Sequence, residues 1–323
     1  MKIFSGIRPT GDIHIGNYLG AIKQWVELQK SNNCVFCIVD WHAIVTPYEP
    51  SKIMEHIYDL AIAYITAGID YKKNVFFVQS QVKEHVELAW LLGSITPTGE
   101  LFRMTQYKEK SKDLKANVAA GLLNYPILMA ADILLYQTDV VPVGHDQIQH
   151  VEFARELARK FNKKFGKVFT MPKPYISKSG ARIKSLQDPR KKMSKSGNPK
   201  GCIGLFDSPQ TIKARVMAAV TDTGKEIKYS PVKKPGISNL LTIYALFSNQ
   251  SIKEIEKQFQ EKGYAEFKKS LAYLLIESLK PFRKAKKELS REQLQKILDN
   301  GAKRARKIAQ ETIVRARKNM GLS

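Results

Sequence analysis

The chain has 323 residues, 43% of them hydrophobic, which is enough to bury a sizeable core in two domains and excludes a generally disordered protein. Its 53 Lys and Arg against 30 Asp and Glu give a formal net charge of +23, and a surface that basic attracts polyanions, with nucleic acid the leading partner. The most apolar stretch, Leu122 to Tyr136, is broken by Asn124, Pro126 and Asp132 and is too short for a bilayer, while Met1-Lys2 runs straight into a strand pattern with no room for a signal peptide. No membrane association and a cytoplasmic location are therefore expected.

Lys2 to Ile7 alternates as a strand does, and Arg8-Pro9-Thr10-Gly11-Asp12 follows as a turn. Ile15, Leu19, Ile22 and Val26 then recur at helical spacing, which predicts a helix over Ile15–Leu28 and puts His14-Ile15-Gly16-Asn17 in its first turn. A helix start offers unpaired amides and a positive dipole end to a phosphate, and Gly16 would let a nucleotide approach closely. A tight strand-to-helix turn with no ligand explains the same glycine equally well.

A second strand is predicted at Cys34–Val39. Cys34 and Cys37 have the C-x-x-C spacing of zinc or redox sites, but side chains three apart on a strand point to opposite faces, so both are expected to be structural thiols. A helix over Lys52–Ala67 and a strand over Val75–Gln79 continue an alternation that predicts a parallel sheet with crossover helices. From about Glu84 to Tyr136 successive helices interrupt it as an insertion. Val140 to Val143 then resumes the strands, and Gly144-His145-Asp146-Gln147 precedes a helix through Val151, Ala154, Leu157 and Phe161. In an open parallel sheet ligands gather at the carboxyl ends of strands, so the turns after the first strand and after Val143 should face one crevice.

Inside the insertion, Asp132 stands in an apolar run, where a carboxylate is costly to bury without a donor. A nearby Arg or a backbone amide would satisfy it.

Lys192-Met193-Ser194-Lys195-Ser196 is a basic pentapeptide followed by Gly197-Asn198-Pro199, a composition that suits a loop able to close over a ligand. Taken alone it reads as solvated surface. Paired with the His14–Asn17 motif it points to ATP activation. Beyond Lys200 strand signals fade, and helices are predicted at Gln210–Val220, Ser238–Phe247, Ser251–Gln258 and from Tyr264 to the end. The last stretch carries Arg283, Lys284, Lys286, Lys287, Lys303, Arg304, Arg306, Lys307, Arg315, Arg317 and Lys318, which reads either as a solvated face or as an RNA-contacting surface.

Together these motifs resemble the class I aminoacyl-tRNA synthetases, in which HIGH-type and KMSKS motifs assemble around ATP. The closer resemblance is to the bacterial tryptophanyl-tRNA synthetase family. Phe4-Ser5-Gly6-Ile7-Arg8-Pro9-Thr10-Gly11, His14-Ile15-Gly16-Asn17-Tyr18, Tyr125-Pro126-Ile127-Leu128-Met129-Ala130-Ala131-Asp132-Ile133-Leu134, Gly144-His145-Asp146-Gln147, the KMSKS run and Pro235-Gly236-Ile237-Ser238-Asn239-Leu240 carry it. The resemblance covers essentially the whole chain. Asn17 stands where the HIGH pattern has its second His, as in the tryptophan branch, and Arg8 stands where some members have Gln.

The resemblance implies an α/β fold: a Rossmann-like parallel-sheet catalytic domain over residues 1–200 with a helical insertion at about 84–136, then an all-helical tRNA-binding domain over 201–323. It implies ATP-dependent attachment of tryptophan to tRNA(Trp) through an adenylate, with Mg2+ bound through the ATP phosphates, in a homodimer. Arg8, Pro9, Thr10, Gly16, Asn17, Gly144, His145, Asp146, Ile183, Lys192, Met193, Ser194, Lys195 and Ser196 would line the nucleotide. Lys192, Lys195, Asn17 and Lys110 would act on the phosphates. Phe4, Gly6, Met129, Val143 and Asp132 would surround the indole, with Tyr125 and Gln147 near the amino group. The indole N–H would satisfy Asp132, and a hydrogen bond to a charged group, worth roughly 1.5–3 kcal/mol, would reject an unsubstituted phenyl ring by about one to two factors of ten.

The nearest rival is the sister tyrosyl-tRNA synthetase family, from which Met129-Ala130-Ala131-Asp132 separates this chain. An RNA-binding protein with a vestigial nucleotide fold is opposed by the intact Lys192 and Lys195. A nucleotidylyltransferase leaves the C-terminal helices and Asp132 unexplained.

Overall fold

A computed structural model describes residues 1–114, 118–176, 183–194 and 199–322. Five strands, β1 (Lys2–Ile7), β2 (Asn33–Ile38), β3 (Val75–Val78), β4 (Val140–Pro142) and β5 (Lys173–Tyr175), form one sheet in the order β3-β2-β1-β4-β5, parallel throughout. The strand order reverses between β1 and β4, which makes their carboxyl ends the switch point where an open sheet binds ligands. Arg8 to Thr10 follow one of those ends and Val143 to Gln147 the other. β5 escapes sequence reading because it has three residues with Pro174 at its centre, and only its register with β4 makes it a strand.

Period-two alternation splits the core in two. Ile3, Cys34, Phe36, Ile38, Phe76 and Val78 pack on one face of the sheet, and Phe4, Val35, Cys37, Phe77 and Val141 on the other. Cys34 and Cys37 thus lie on opposite faces, as their spacing predicts. Burial pushes both thiols up, Cys34 to about 11, which leaves them protonated and inert.

The first helix is not the continuous Ile15–Leu28 that its apolar stripe predicts. It consists of α1 (Ile15–Asn17), a π-helical turn over Tyr18–Ile22 and α2 (Lys23–Leu28). The stripe survives, with Ile15, Leu19 and Ile22 buried, while the wide turn comes directly after the motif, a common place for π-turns. α3 (Pro50–Ala67) crosses from β2 to β3 and ends at Gly68, whose φ of 105° suits glycine. The insertion is helical as predicted, with α4 (Glu84–Gly93), α5 (Thr98–Phe102), α6 (Thr105–Leu114) and α7 (Ala120–Leu135). α8 (Ile148–Phe165) follows β4.

The C-terminal part holds α9 (Pro209–Met217), α10 (Pro235–Ser248), α11 (Ile252–Gln258), α12 (Tyr264–Ser278), α13 (Lys280–Glu288) and α14 (Arg291–Asn319). The single helix predicted from Tyr264 onward is therefore three. Pro281 starts α13, and Ser290 caps α14 through a reciprocal pair with Gln293. α14 returns to the first half of the chain and packs against edge strand β3, where a Cβ on Gly301 would lie 1.6 Å from the Phe76 carbonyl oxygen, so only glycine permits that approach. Arg304 clamps the same edge by donating to the carbonyls of Tyr71, Lys72, Lys73 and Asn74.

This corrects part of the reading of the basic C-terminal stretch. Arg283 donates to Ile276 O, Arg306 to Gln81 O and Arg315 to Val168 O, while Lys286 pairs with the buried Asp59 at 2.8 Å. These cations hold α13 and α14 to the rest of the protein. Lys287, Lys303, Lys307 and Lys318 remain on exposed surface.

Candidate active site

The two motifs that sequence reading paired meet at the carboxyl end of β1. A Cβ built on Gly16 would lie 3.6 Å from the Met193 Cβ, ordinary contact distance, so the two motifs are neighbours, and 2.9 Å from the His14 imidazole, which is the approach that favours glycine here. Two short pairings hold the geometry. Residues 13–15 run antiparallel to 203–205 through Ile15 N–H to Ile203 O (3.0 Å) and Leu205 N–H to Ile13 O (3.1 Å). Residues 183–185 run antiparallel to 191–193 through Met193 N–H to Ile183 O (3.0 Å) and Ser185 N–H to Lys191 O (2.9 Å). Asn239 of α10 fixes the second pairing from behind, donating to Lys184 O at 3.0 Å and accepting from Lys184 N at 2.9 Å. Lys192 and Ser194 stand exposed at the end of this hairpin. Lys195 and Ser196 lie outside the described residues.

The expectation that open first-turn amides receive a phosphate needs correction. Ile15 N–H donates to Ile203, Gly16 N–H to His14 Nδ1 at 3.1 Å, and Asn17 N–H to His14 O at 2.9 Å. Asn17 completes a capping box by accepting the His14 amide on Oδ1 at 3.1 Å, which turns its NH2 group to the other side. The motif therefore offers side chains and a cleared surface. Ile183 and Met193 are core side chains, 2% and 1% exposed, so a base can meet only their main chain.

Cations gather at the turn that follows β1. Arg8, Lys110 and Tyr125 are close enough to shift one another, and Lys110 Nζ lies 5.2 Å from the Tyr125 ring centroid. Burial lowers the Lys110 ammonium, and Arg8 lowers it further against the opposing charge of Asp146. Burial raises the Tyr125 phenol to about 12, so it is a hydroxyl and not a phenolate. Pro9 is buried, and Thr10 and Gly6 are exposed. A Cβ on Gly6 would meet Cys37 O and Val39 Cγ1 at 2.9 Å, which explains the glycine by packing as well as by access. On the β4 side, Gly144, His145 and Asp146 are exposed, and Gln147 donates to Asp146 Oδ2 at 3.1 Å.

Asp132 projects from the same face of α7 as Tyr125 and Met129, at i+7 and i+3. It is 1% exposed, yet among the described residues its partners are neither an arginine nor a backbone amide. Oδ1 accepts from Gln79 Nε2 at 2.7 Å and from His85 Nδ1 at 2.6 Å, and Oδ2 accepts from His42 Nε2 at 2.7 Å. The His85 Nε2 stands 2.7 Å from the Tyr136 hydroxyl, whose ring stacks on Phe4 at 5.7 Å. If His85 donates to the carboxylate, its Nε2 accepts from Tyr136, a tautomer assigned from the network. Burial pushes the Asp132 carboxyl up, but the charges and hydrogen bonds of His42 and His85 outweigh it and hold the group below the ordinary range. His42 also meets the Tyr125 ring edge-on at 6.2 Å, and Tyr125 Oη lies 2.8 Å from His150 Nε2.

His42, Gln79, His85, Tyr136 and His150 were all missed by sequence reading. The signal for His42 was available, since it follows the carboxyl end of β2 as Arg8 follows β1. His85, Tyr136 and His150 gave none, because each is defined by a partner far away in the chain.

A family model described as tRNA synthetases class I (W and Y) matches residues 1–280. The Tryptophan--tRNA ligase of Caldanaerobacter subterraneus subsp. tengcongensis is 50% identical over 322 residues, which are 99% of this chain and 98% of that protein. The crystal structure of tryptophanyl-tRNA synthetase from Mycoplasma pneumoniae superposes with a TM-score of 0.91 at 33% identity, covering 100% of this chain and 98% of that one. That of the Campylobacter jejuni enzyme complexed with ADP and tryptophan gives 0.87 at 38% identity over 100% of both chains.

Proposed function

The chain belongs to the class I tRNA synthetases, in their bacterial tryptophanyl branch, and from that premise we propose how its crevice charges tRNA with tryptophan. The tryptophan carboxylate attacks the α-phosphate of ATP and pyrophosphate leaves, after which a terminal ribose hydroxyl of tRNA(Trp) takes the acyl group and AMP departs. No side-chain nucleophile is needed, so the site works by positioning and by stabilising charge. The observation that carries this reading is the approach of Gly16 to Met193, where a Cβ on Gly16 would stand 3.6 Å from the Met193 Cβ, which brings the His14–Asn17 and KMSKS motifs together.

Arg8, Lys110 and Lys192, with Lys195, supply positive charge to the triphosphate, and Asn17 turns its NH2 toward it. Mg2+ arrives with ATP, bound through the phosphates. Asp146 accepts from the ribose hydroxyls, with Pro9, Thr10, Gly144 and His145 around the nucleoside. Asp132 accepts the indole N–H on Oδ2, which among the described residues has one partner, His42, against two on Oδ1. Phe4, Gly6, Met129 and Val143 surround the ring, and Tyr125 and Gln147 receive the ammonium.

Pyrophosphate exchange into ATP without tRNA, offering tryptophan, tyrosine or phenylalanine in turn, tests this directly. Exchange with tryptophan alone is expected. Exchange with tyrosine would overturn the role of Asp132, and none at all would overturn the chemistry.

We assign catalysis to residues 1–200 and tRNA contact to 201–323, through the exposed lysines of α13 and α14 among others, and we place the protein in the cytoplasm. No helix among the described residues is long and apolar enough to cross a membrane. A homodimer is supported by an apolar groove between α4 and α7, lined by Val45, Val86, Ala89, Leu101 and Ile127, beside which Trp90 is 80% exposed. Trp90→Glu should convert a dimer to a monomer in sedimentation velocity. A wild-type protein that already sediments as a monomer would remove this assignment.

A further inference from the structure

His150, in the first turn of α8, has no part in the reaction as described above. Its ring is 1% exposed, lies 5.4 Å from the Tyr125 ring centroid, and places Nε2 at 2.8 Å from the Tyr125 hydroxyl. Its other nitrogen, Nδ1, is buried without a hydrogen-bond partner among the described residues. An orphaned polar atom in a core costs folding free energy that a phenyl ring of the same size would not. What the imidazole adds over a phenyl ring is Nε2.

We propose that His150 is a positioning residue for tryptophan: its neutral imidazole accepts the Tyr125 hydroxyl hydrogen at Nε2 and so turns the oxygen lone pairs toward the substrate ammonium. This rests on the reading of Tyr125 as an ammonium contact. An ammonium only donates, and a phenol whose hydrogen points into the pocket repels it. With Nε2 accepting, the ring proton sits on Nδ1, the orphaned atom. The opposite tautomer would donate to Oη and free the phenolic hydrogen to face the pocket.

The groups that face the ring are Tyr125 from α7, Lys110 from α6, Asp146 from the turn after β4 and His42 from the segment after β2. Burial, then Lys110 and His42 against the opposing Asp146, bring the imidazole down to about 4, so it is neutral at neutral pH.

Three ligands separate the ammonium from the rest of the substrate: tryptophan, tryptamine, which lacks the carboxylate, and indolepropionate, which lacks the ammonium. His150→Phe keeps the ring packing and removes the acceptor. It should weaken tryptophan and tryptamine by about 10-fold to 100-fold, leave indolepropionate and ATP unchanged, and not lower the thermal midpoint. His150→Gln, whose Oε1 accepts a hydrogen bond, should recover most of the loss. Equal weakening of all three ligands, or of none, overturns the proposal. Tyr125→Phe distinguishes the two levels: if it weakens tryptophan while His150→Phe does not, only the role of His150 falls. If it has no effect, the ammonium contact falls and the proposal with it.

Discussion

Replacing Lys192 with alanine should slow tryptophanyl-adenylate formation by about 10²-fold to 10³-fold, the usual cost of losing one preorganised charge partner of a transition state, and should leave the affinity for tryptophan unchanged. The side chain is exposed, while its main chain is fixed by the pairing of 183–185 with 191–193 and by Asn239 behind it. Removing the ammonium therefore leaves the hairpin in place. In the proposed role the lysine meets the charge that grows on the departing pyrophosphate, so the loss belongs in the rate and not in ground-state binding. Single-turnover formation of adenylate at saturating ATP and tryptophan measures that rate. A variant with normal single-turnover rate and weakened ATP binding would show that Lys192 only holds the substrate.

Asp132→Asn should lower kcat/KM for tryptophan by roughly 10-fold to 100-fold, the worth of a charge-assisted hydrogen bond, with KM for ATP unchanged. The structure adds a second consequence. His42, His85 and Gln79 all donate to the carboxylate, and an amide carries one NH2 where the carboxylate has an acceptor, so donor faces donor in a buried site. The thermal midpoint should therefore fall as well. Equal losses toward tryptophan and ATP would remove the indole role and leave Asp132 as an organiser of the core.

The acid side of the stability profile separates this network from His150. The native Asp132 carboxyl titrates below its unfolded value, so its contribution is present above the ordinary carboxylate range and is lost only as pH falls through the lower native value. His150 is depressed from 6.5 to about 4, so the unfolded chain takes up the proton first, and stability falls as pH drops through that window. The loss between 6.5 and about 4 should persist in Asp132→Asn and vanish in His150→Phe.

Local order along the chain was legible in the sequence wherever one face of an element is buried, because the period of burial is written in the residues themselves. β1 to β4, the crossover helix α3, the helical insertion and the separation of Cys34 from Cys37 all follow from such periods. The pairing of the His14–Asn17 and KMSKS motifs was legible too, since the chemistry they share requires them together. What depended on distance in space was not. β5 exists through its register with β4, and α14 belongs to the edge of the sheet because Gly301 and Arg304 meet the backbone of residues 71–76. The basic residues of α13 and α14 divide between structural clamps and exposed surface by the carbonyls they happen to reach. Sequence alone marked Asp132 as a buried carboxylate in need of donors. Only the tertiary structure could choose His42, Gln79 and His85 to supply them, because a buried charge is satisfied by whatever three elements converge on it, and that convergence is a property of packing.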